Sequence, residues 1–199
     1  MVIVDPPRCF GSTTRSFEIL DNVSETRSVY SFSESRIDFG GEAWSCELQM
    51  HNLNDEQAGE ITAYFDRLRG VDVAARFGFA QSRKTKFGTT TAAALTVTAD
   101  VVAGGNDIPI SGVGAAGTLR WGTVVQIGNH LHRSRTNVTG DTGSLIISPR
   151  LRAPLTTGDQ IILDDPKGLW RLQGRPVEQH SKRWTLGGGV RFVEALNYA

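Results

Sequence analysis

Two histidines, His130 and His132, come closest in type and spacing to a metal-binding pair. Residues i and i+2 of a β-strand point from the same face, so their imidazoles could approach one ion. A closed or catalytic zinc site takes three or four protein ligands, and the sequence shows no third ligand beside this pair. Arg133 and Arg135 add positive charge next to it. The sequence therefore predicts no metal and no cofactor, and favours a solvated or interfacial strand face.

The other nucleophiles and acids form no catalytic set. Cys46 alternates with Trp44 and Leu48, as a small apolar core residue does. Asp164 and Asp165 precede Pro166, a pattern better explained by a turn than by acid–base chemistry. We therefore assign no catalytic residue and predict that the protein is not an enzyme.

A glycine pattern at residues 112–117 matches the Gly-x-Gly-x-x-Gly spacing of dinucleotide-binding loops. That motif needs a strand before it and a helix after it, and residues 118–122 (Thr-Leu-Arg-Trp-Gly) are not helical in pattern. The sequence predicts a turn here and no nucleotide site.

Composition narrows the function classes. The 199 residues carry 21 Lys and Arg against 21 Asp and Glu, a net charge of zero. A general nucleic-acid binder normally has a basic excess, so that class of protein is disfavoured. No apolar run reaches the roughly 20 residues that a membrane helix needs. The apolar residues at the start of the chain end before Asp5, too early to form the apolar core of a signal peptide. We expect synthesis in a cytoplasm, without membrane insertion.

Four tryptophans raise the question of carbohydrate binding, because aromatic faces can stack on sugar rings. They are Trp44, Trp121, Trp170 and Trp184. Core or interface anchoring is the ordinary role of such residues. Trp121, together with His130 and His132, is kept as a candidate contact for a sugar or a protein partner.

One helix is predicted, over residues 54–69. Asn54 can cap it, with Gln57 three residues later as in a capping box. Ala58, Ile61 and Phe65 begin an apolar stripe of period 3.6, which Leu68 completes.

Strands are predicted on both sides of this helix. Residues 44–50 alternate apolar with polar, as do residues 71–79. Residues 36–39 form a further short strand, and Gly40-Gly41 predicts a hairpin turn between it and residues 44–50. Trp44, Leu48, Ile61, Phe65 and Phe77 are the predicted core.

Closely spaced strands separated by glycine turns occupy the middle of the chain, a pattern typical of a small barrel or sandwich. Aromatic strands return near residues 169–172 and 183–195. We therefore predict a mainly β protein with one helix. Residues 1–85 and 168–199 form one β-sandwich domain that carries the helix, and residues 86–167 form an inserted small β domain.

The order and spacing of several motifs resemble the distal tail proteins of long-tailed bacteriophages. These motifs occupy residues 39–44, 65–70, 75–79, 122–133, 142–152 and 157–161. The resemblance implies a β-sandwich belt domain with one helix and a second domain that is a small β-barrel.

The same resemblance implies a structural virion protein: a homo-hexameric ring at the distal end of the tail that joins the tail tube protein to the baseplate hub protein. Assembly would occur in the host cytoplasm. Two alternatives remain open, namely a virion module that binds a host-surface saccharide and a tail-tube or terminator protein.

Overall fold

The computed structural model of the chain describes residues 2–8, 10, 14–27, 34–50, 53–69, 72–78, 89–90, 92–174, 177–179, 185–187 and 189–196. Within them lie helix α1 (Asp55–Arg67) and sixteen strands. The strands are β1 (Val2–Val4), β2 (Thr14–Arg27), β3 (Glu34–Gln49), β4 (Val73–Gly78), β5 (Ala94–Val97), β6 (Asp107–Ser111), β7 (Thr118–Leu119), β8 (Val124–Ile127), β9 (His130–Ser134), β10 (Val138–Thr139), β11 (Thr142–Ser148), β12 (Gln160–Ile162), β13 (Lys167–Gln173), β14 (Val177–Gln179), β15 (Thr185–Gly187) and β16 (Val190–Glu194).

Strands from both ends of the chain form a six-stranded sheet, in the order β1-β4-β13-β16-β3-β2. β1 runs parallel to β4, and the other neighbours are antiparallel. The sheet therefore has β1 at one edge and β2 at the other. Helix α1 packs against this sheet, because Ala58, Ile61 and Phe65 belong to its apolar cluster.

Helix α1 begins where the sequence predicts. The Asn54 side chain accepts the backbone N–H of Gln57 at 2.8 Å, and the Gln57 side chain accepts the N–H of Asn54 at 3.2 Å. This capping box satisfies two of the N–H groups that a helix start leaves unpaired. The helix ends at Arg67 with Leu68 as its C-cap, two residues before the predicted end at residue 69.

The apolar stripe of the helix fills the core of the sheet. The Phe65 and Phe192 rings lie 6.3 Å apart, and Phe77 stacks on Trp170 at 5.1 Å between ring centroids. The Trp170 indole N–H also donates to the carbonyl of Phe77 at 2.8 Å. The five predicted core residues, which are Trp44, Leu48, Ile61, Phe65 and Phe77, are all buried, so that prediction is confirmed.

A closed barrel forms between β4 and β13 along the chain. Its six strands follow the order β11-β6-β5-β12-β8-β9, and β9 pairs back with β11. Inward residues such as Leu95, Ile110 and Ile147 make an apolar cluster separate from that of the sheet. The mainly β fold with one helix is confirmed, and the middle of the chain is a barrel rather than a sandwich.

The chain leaves the sheet and returns to it at one point. Gly78 at the end of β4 lies directly opposite Lys167 at the start of β13. The barrel covers part of the sheet core, because Val124 and Leu131 belong to the apolar cluster of the sheet.

The predicted hairpin at Gly40-Gly41 is wrong. Both glycines lie inside the single long strand β3, which pairs with β2. The register shifts there, since Asp21 pairs with Glu42 while Val23 pairs with Asp38. Gly41 adopts a φ of 151°, a backbone conformation that favours glycine, so the pair forms a bulge instead of a turn.

Phe65→Ala is expected to lower the free energy of unfolding by about 3–5 kcal/mol, because it opens a cavity between helix and sheet. Urea denaturation measures this. Ala63 is exposed on the same helix, and Ala63→Gln should stay within about 0.5 kcal/mol of wild type. Equal stability of the Phe65→Ala and wild-type proteins would show that the stripe is not core.

Replacing residues 79–166 with Asn-Gly should leave a folded sheet. Gly78 and Lys167 are already opposite each other, and a two-residue turn joins such a pair. Its stability should fall, because Val124 and Leu131 no longer cover the core. A cooperative thermal transition by circular dichroism is the expected result. The separate fragment of residues 89–166, which carries the barrel core, should also unfold cooperatively. Aggregation of both proteins would contradict the prediction of two separable domains.

Candidate functional site

The three candidate contact residues do not form one site. Trp121 is 69% exposed in the turn before β8, whereas His130 and His132 on β9 are only 4% and 1% exposed. The backbone N–H of Trp121 donates to Asn137 at 2.9 Å, which fixes the turn and leaves the indole accessible. The sequence favoured a solvated or interfacial strand face; both histidines are buried, so the face that they occupy is not solvated.

The two histidines project toward the barrel interior. His130 pairs across the ladder with Ile127, and His132 pairs with Val125; both partners belong to the barrel core. Directly opposite residues of an antiparallel pair share a face of the sheet. The intervening Leu131 points the other way, into the sheet core.

A buried carboxylate joins β9 to the sheet. Glu194, on β16, accepts a hydrogen bond from His130 Nδ1 at 2.9 Å and one from the backbone N–H of Trp44 at 3.1 Å. Arg152 lies 3.2 Å from its second oxygen and also donates to the carbonyl of Glu42. The indole N–H of Trp44 completes the junction by donating to the carbonyl of Leu131 at 2.7 Å.

Glu194 is held in its charged form. Burial opposes ionisation and is the largest single influence on its pKa, but the donors together outweigh it. The hydrogen bond from His130, the charge of Arg152 and the N–H of Trp44 hold the pKa of Glu194 below its ordinary value. Because the carboxylate can only accept, His130 Nδ1 carries the hydrogen of that bond.

His132 is held neutral. Burial lowers its pKa from 6.5 to about 4, although the carbonyl of Pro149 and the charge of Glu194 act in the opposite direction. Its Nδ1 lies 2.7 Å from the Pro149 carbonyl oxygen, which can only accept. His132 therefore carries its hydrogen on Nδ1, and its Nε2 bears a free lone pair.

A cavity of about 310 Å³ opens beside these rings. Its lining residues are Ile127, Gly128, Asn129, His130, His132, Leu151, Arg152, Ala153, Pro154, Leu155, Asp159 and Gln160. Gly128, Asn129, Pro154 and Gln160 are exposed, so the cavity reaches solvent. Nε2 of His130 is buried and has no hydrogen-bond partner among the described residues.

The other candidates behave as structural residues. Cys46 is fully buried, and burial raises the pKa of its thiol to about 12. The glycine pattern at residues 112–117 leads into strand β7, not a helix. Trp44 and Trp170 are core residues, while Trp184, His51, His180 and Cys9 lie outside the described residues.

Sequence reasoning missed Glu194 and Arg152. Glu194 lies on a strand whose apolar and polar residues alternate, at a position where the alternation predicts an inward-facing side chain. An acidic residue at such a position was the sequence signal that could have identified it. A buried carboxylate requires hydrogen-bond donors. The sequence does not show that these are Trp44, His130 and Arg152, which lie 150, 64 and 42 residues from Glu194.

No protein-family model matches the chain, and no curated protein matches its sequence. Within the described residues no helix is long and apolar enough to cross a membrane.

His132→Asn is expected to flatten the pH dependence of stability. The depressed pKa of wild-type His132 means that the unfolded chain binds a proton more readily, so stability is lost as pH falls from 6.5 to about 4. The shift corresponds to about 3 kcal/mol. Asn can still donate to the Pro149 carbonyl but does not titrate.

Urea denaturation in EDTA at pH 7.5 and pH 4.5 tests this. Glu194 also contributes to stability, and this contribution is lost at lower pH as its carboxylate becomes protonated. That loss is common to the wild-type protein and the His132→Asn variant. Parallel losses of stability in wild type and variant would contradict the assignment.

Proposed function

We propose that this protein is a structural subunit of a bacteriophage tail. It forms a ring at the distal end that joins the tail tube to the baseplate hub, and it catalyses no reaction. The proposal builds on the motif order described above, which resembles distal tail proteins. The ring of six copies comes from that resemblance alone, as do the tail-tube and hub partners and the location in the virion tail.

The observation that carries the proposal is a two-stranded arm, defined as Val23–Arg27 of β2 and Glu34–Asp38 of β3. β16 pairs with β3 only over Ser45–Leu48, so the arm extends beyond the sheet. Among the described residues these two segments pair only with each other. An isolated hairpin is marginally stable in water, so a neighbouring molecule that pairs with it would stabilise it.

The opposite edge of the sheet supplies a second, different surface. β1 is the edge strand there, and its Val2 and Ile3 are 60% and 39% exposed. A ring requires head-to-tail contacts between unlike surfaces of adjacent copies. One edge bearing a projecting arm and another bearing apolar side chains meet that requirement.

Exposed Trp121 favours a second candidate, a module that binds a host-surface saccharide. This residue of the barrel is 69% exposed, far more than the buried Trp44 and Trp170. An exposed aromatic face can stack on a sugar or anchor a protein partner. A tail-tube or terminator subunit is a further structural alternative, which the position of the chain in an assembled particle distinguishes.

Removing the arm should abolish ring formation and preserve the fold. Asp21 and Glu42 are direct partners, so replacing residues 22–41 with Asn-Gly closes a short hairpin before the bulge. Wild type should form a closed oligomer by size-exclusion chromatography with light scattering. The shortened variant should be a monomer with unchanged circular dichroism.

Trp121→Ser is the matched control, since it changes an exposed residue away from the arm. It should assemble like wild type, whereas loss of glycan binding in this variant would favour the saccharide-binding function. A monomeric wild-type protein, or a ring that persists without the arm, would overturn the proposal. Cryo-electron microscopy of the particle locates the ring.

A further inference from the structure

We propose that His130 and His132 are the protein ligands of a divalent transition-metal ion bound through their Nε2 atoms in the cavity at the barrel mouth. This site goes beyond the proposed structural role and does not depend on it. Zn²⁺, Ni²⁺ and Cu²⁺ are the ions that imidazole nitrogen suits. The ion would keep further coordination positions open for water or an external ligand.

The hydrogen bonds of the two rings prepare both Nε2 atoms for an ion. His132 Nδ1 donates to the Pro149 carbonyl, and His130 Nδ1 donates to Glu194. Metal-binding histidines commonly donate their second ring nitrogen to a carbonyl or a carboxylate in this way. Such a bond fixes the ring orientation and leaves the lone pair on the other nitrogen.

Among the described residues, no hydrogen-bond donor competes with an ion for Nε2 of His130. It is buried and has no hydrogen-bond partner among the described residues. Leaving a buried polar atom unpaired costs about 1–3 kcal/mol. An ion in the adjoining cavity would supply the missing partner.

The strand places the two rings within reach of one ion. Residues i and i+2 of a strand are about 6.6 Å apart along its axis and share a face. Both rings line the same cavity of about 310 Å³, which has room for an ion and its water ligands. The cavity reaches solvent beside Gly128 and Asn129, which are both exposed.

Two positive charges near the histidines, those of Arg133 and Arg152, point away or are neutralised. The Arg133 guanidinium lies over the Trp44 ring, 5.0 Å from its centroid, on the opposite face of β9. Arg152 lines the cavity, but its charge is balanced by Glu194. Asp159 adds a carboxylate to the lining.

The number of protein ligands, which is two, determines the affinity expected of the site for an ion. Within the described part of the chain, no group of three or more His, Cys, Asp or Glu side chains is arranged to hold an ion. The ion would therefore be exchangeable rather than structural. Cu²⁺ should bind more tightly than Zn²⁺, following the general order of affinities at nitrogen sites.

Titration of the full-length protein with ZnCl₂ by isothermal calorimetry, after dialysis against EDTA and then metal-free buffer, tests the site. One saturable Zn²⁺ per chain is expected. His132→Asn and His130→Asn should each weaken binding at least tenfold, because Asn can retain the Nδ1 hydrogen bond but offers no Nε2 atom. The matched control His51→Asn/His180→Asn, which alters the two other histidines, should bind like wild type.

Electron paramagnetic resonance of the wild-type protein with one equivalent of Cu²⁺ provides a readout that needs no variant. Hyperfine splitting from two equivalent imidazole nitrogens is expected. No saturable Zn²⁺ binding, binding unchanged in the His130→Asn/His132→Asn variant, or a Cu²⁺ spectrum without two imidazole nitrogens would each overturn the proposal.

Discussion

The position of the barrel on the sheet depends on the buried carboxylate of Glu194. A carboxylate removed from water is several kilocalories per mole less stable unless donors surround it. Here the donors come from Trp44 in the sheet, His130 in the barrel and Arg152 after β11. Rotating the barrel would separate them and strand a buried charge. Apolar contacts at Leu131 supply attraction, and the carboxylate selects one orientation among those that such contacts allow.

This fixed orientation separates the surfaces available for different tasks. The two edges of the sheet lie on opposite sides of it. One edge carries the arm at β2, and the other carries exposed Val2 and Ile3 on β1. The barrel carries exposed Trp121 and the histidine-lined cavity. In a ring of the proposed kind, contacts through the sheet edges would leave the barrel free to meet another component. Since the barrel is held by polar geometry as well as by packing, every copy would present it at the same angle.

Local patterns predicted the elements well, and distant partners explain the failures. The capping box and the apolar stripe of α1 depend on residues close in sequence, so the helix was predicted correctly. Gly40-Gly41 fits both a turn and a bulge, and only pairing with β2 decides between them. β2 itself gave a weak signal, because Phe17 and Ile19 alternate only briefly. The spacing of His130 and His132 was visible in the sequence, but their buried partners are distant: Glu194 lies 64 residues from His130, and Pro149 lies 17 residues from His132.

The meeting of Gly78 with Lys167 has a kinetic consequence. β4 and β13 are adjacent in the sheet although the whole barrel separates them in sequence. Closing so long a disordered loop costs conformational entropy and slows the search for the correct pairing. Most barrel strands pair over much shorter sequence distances, as β8 and β9 do, although β5 and β12 are themselves far apart in sequence. If the barrel forms first, it holds its two ends together and turns a long-range encounter into a nearly local one. The insertion would then serve as a template for closure of the sheet around it.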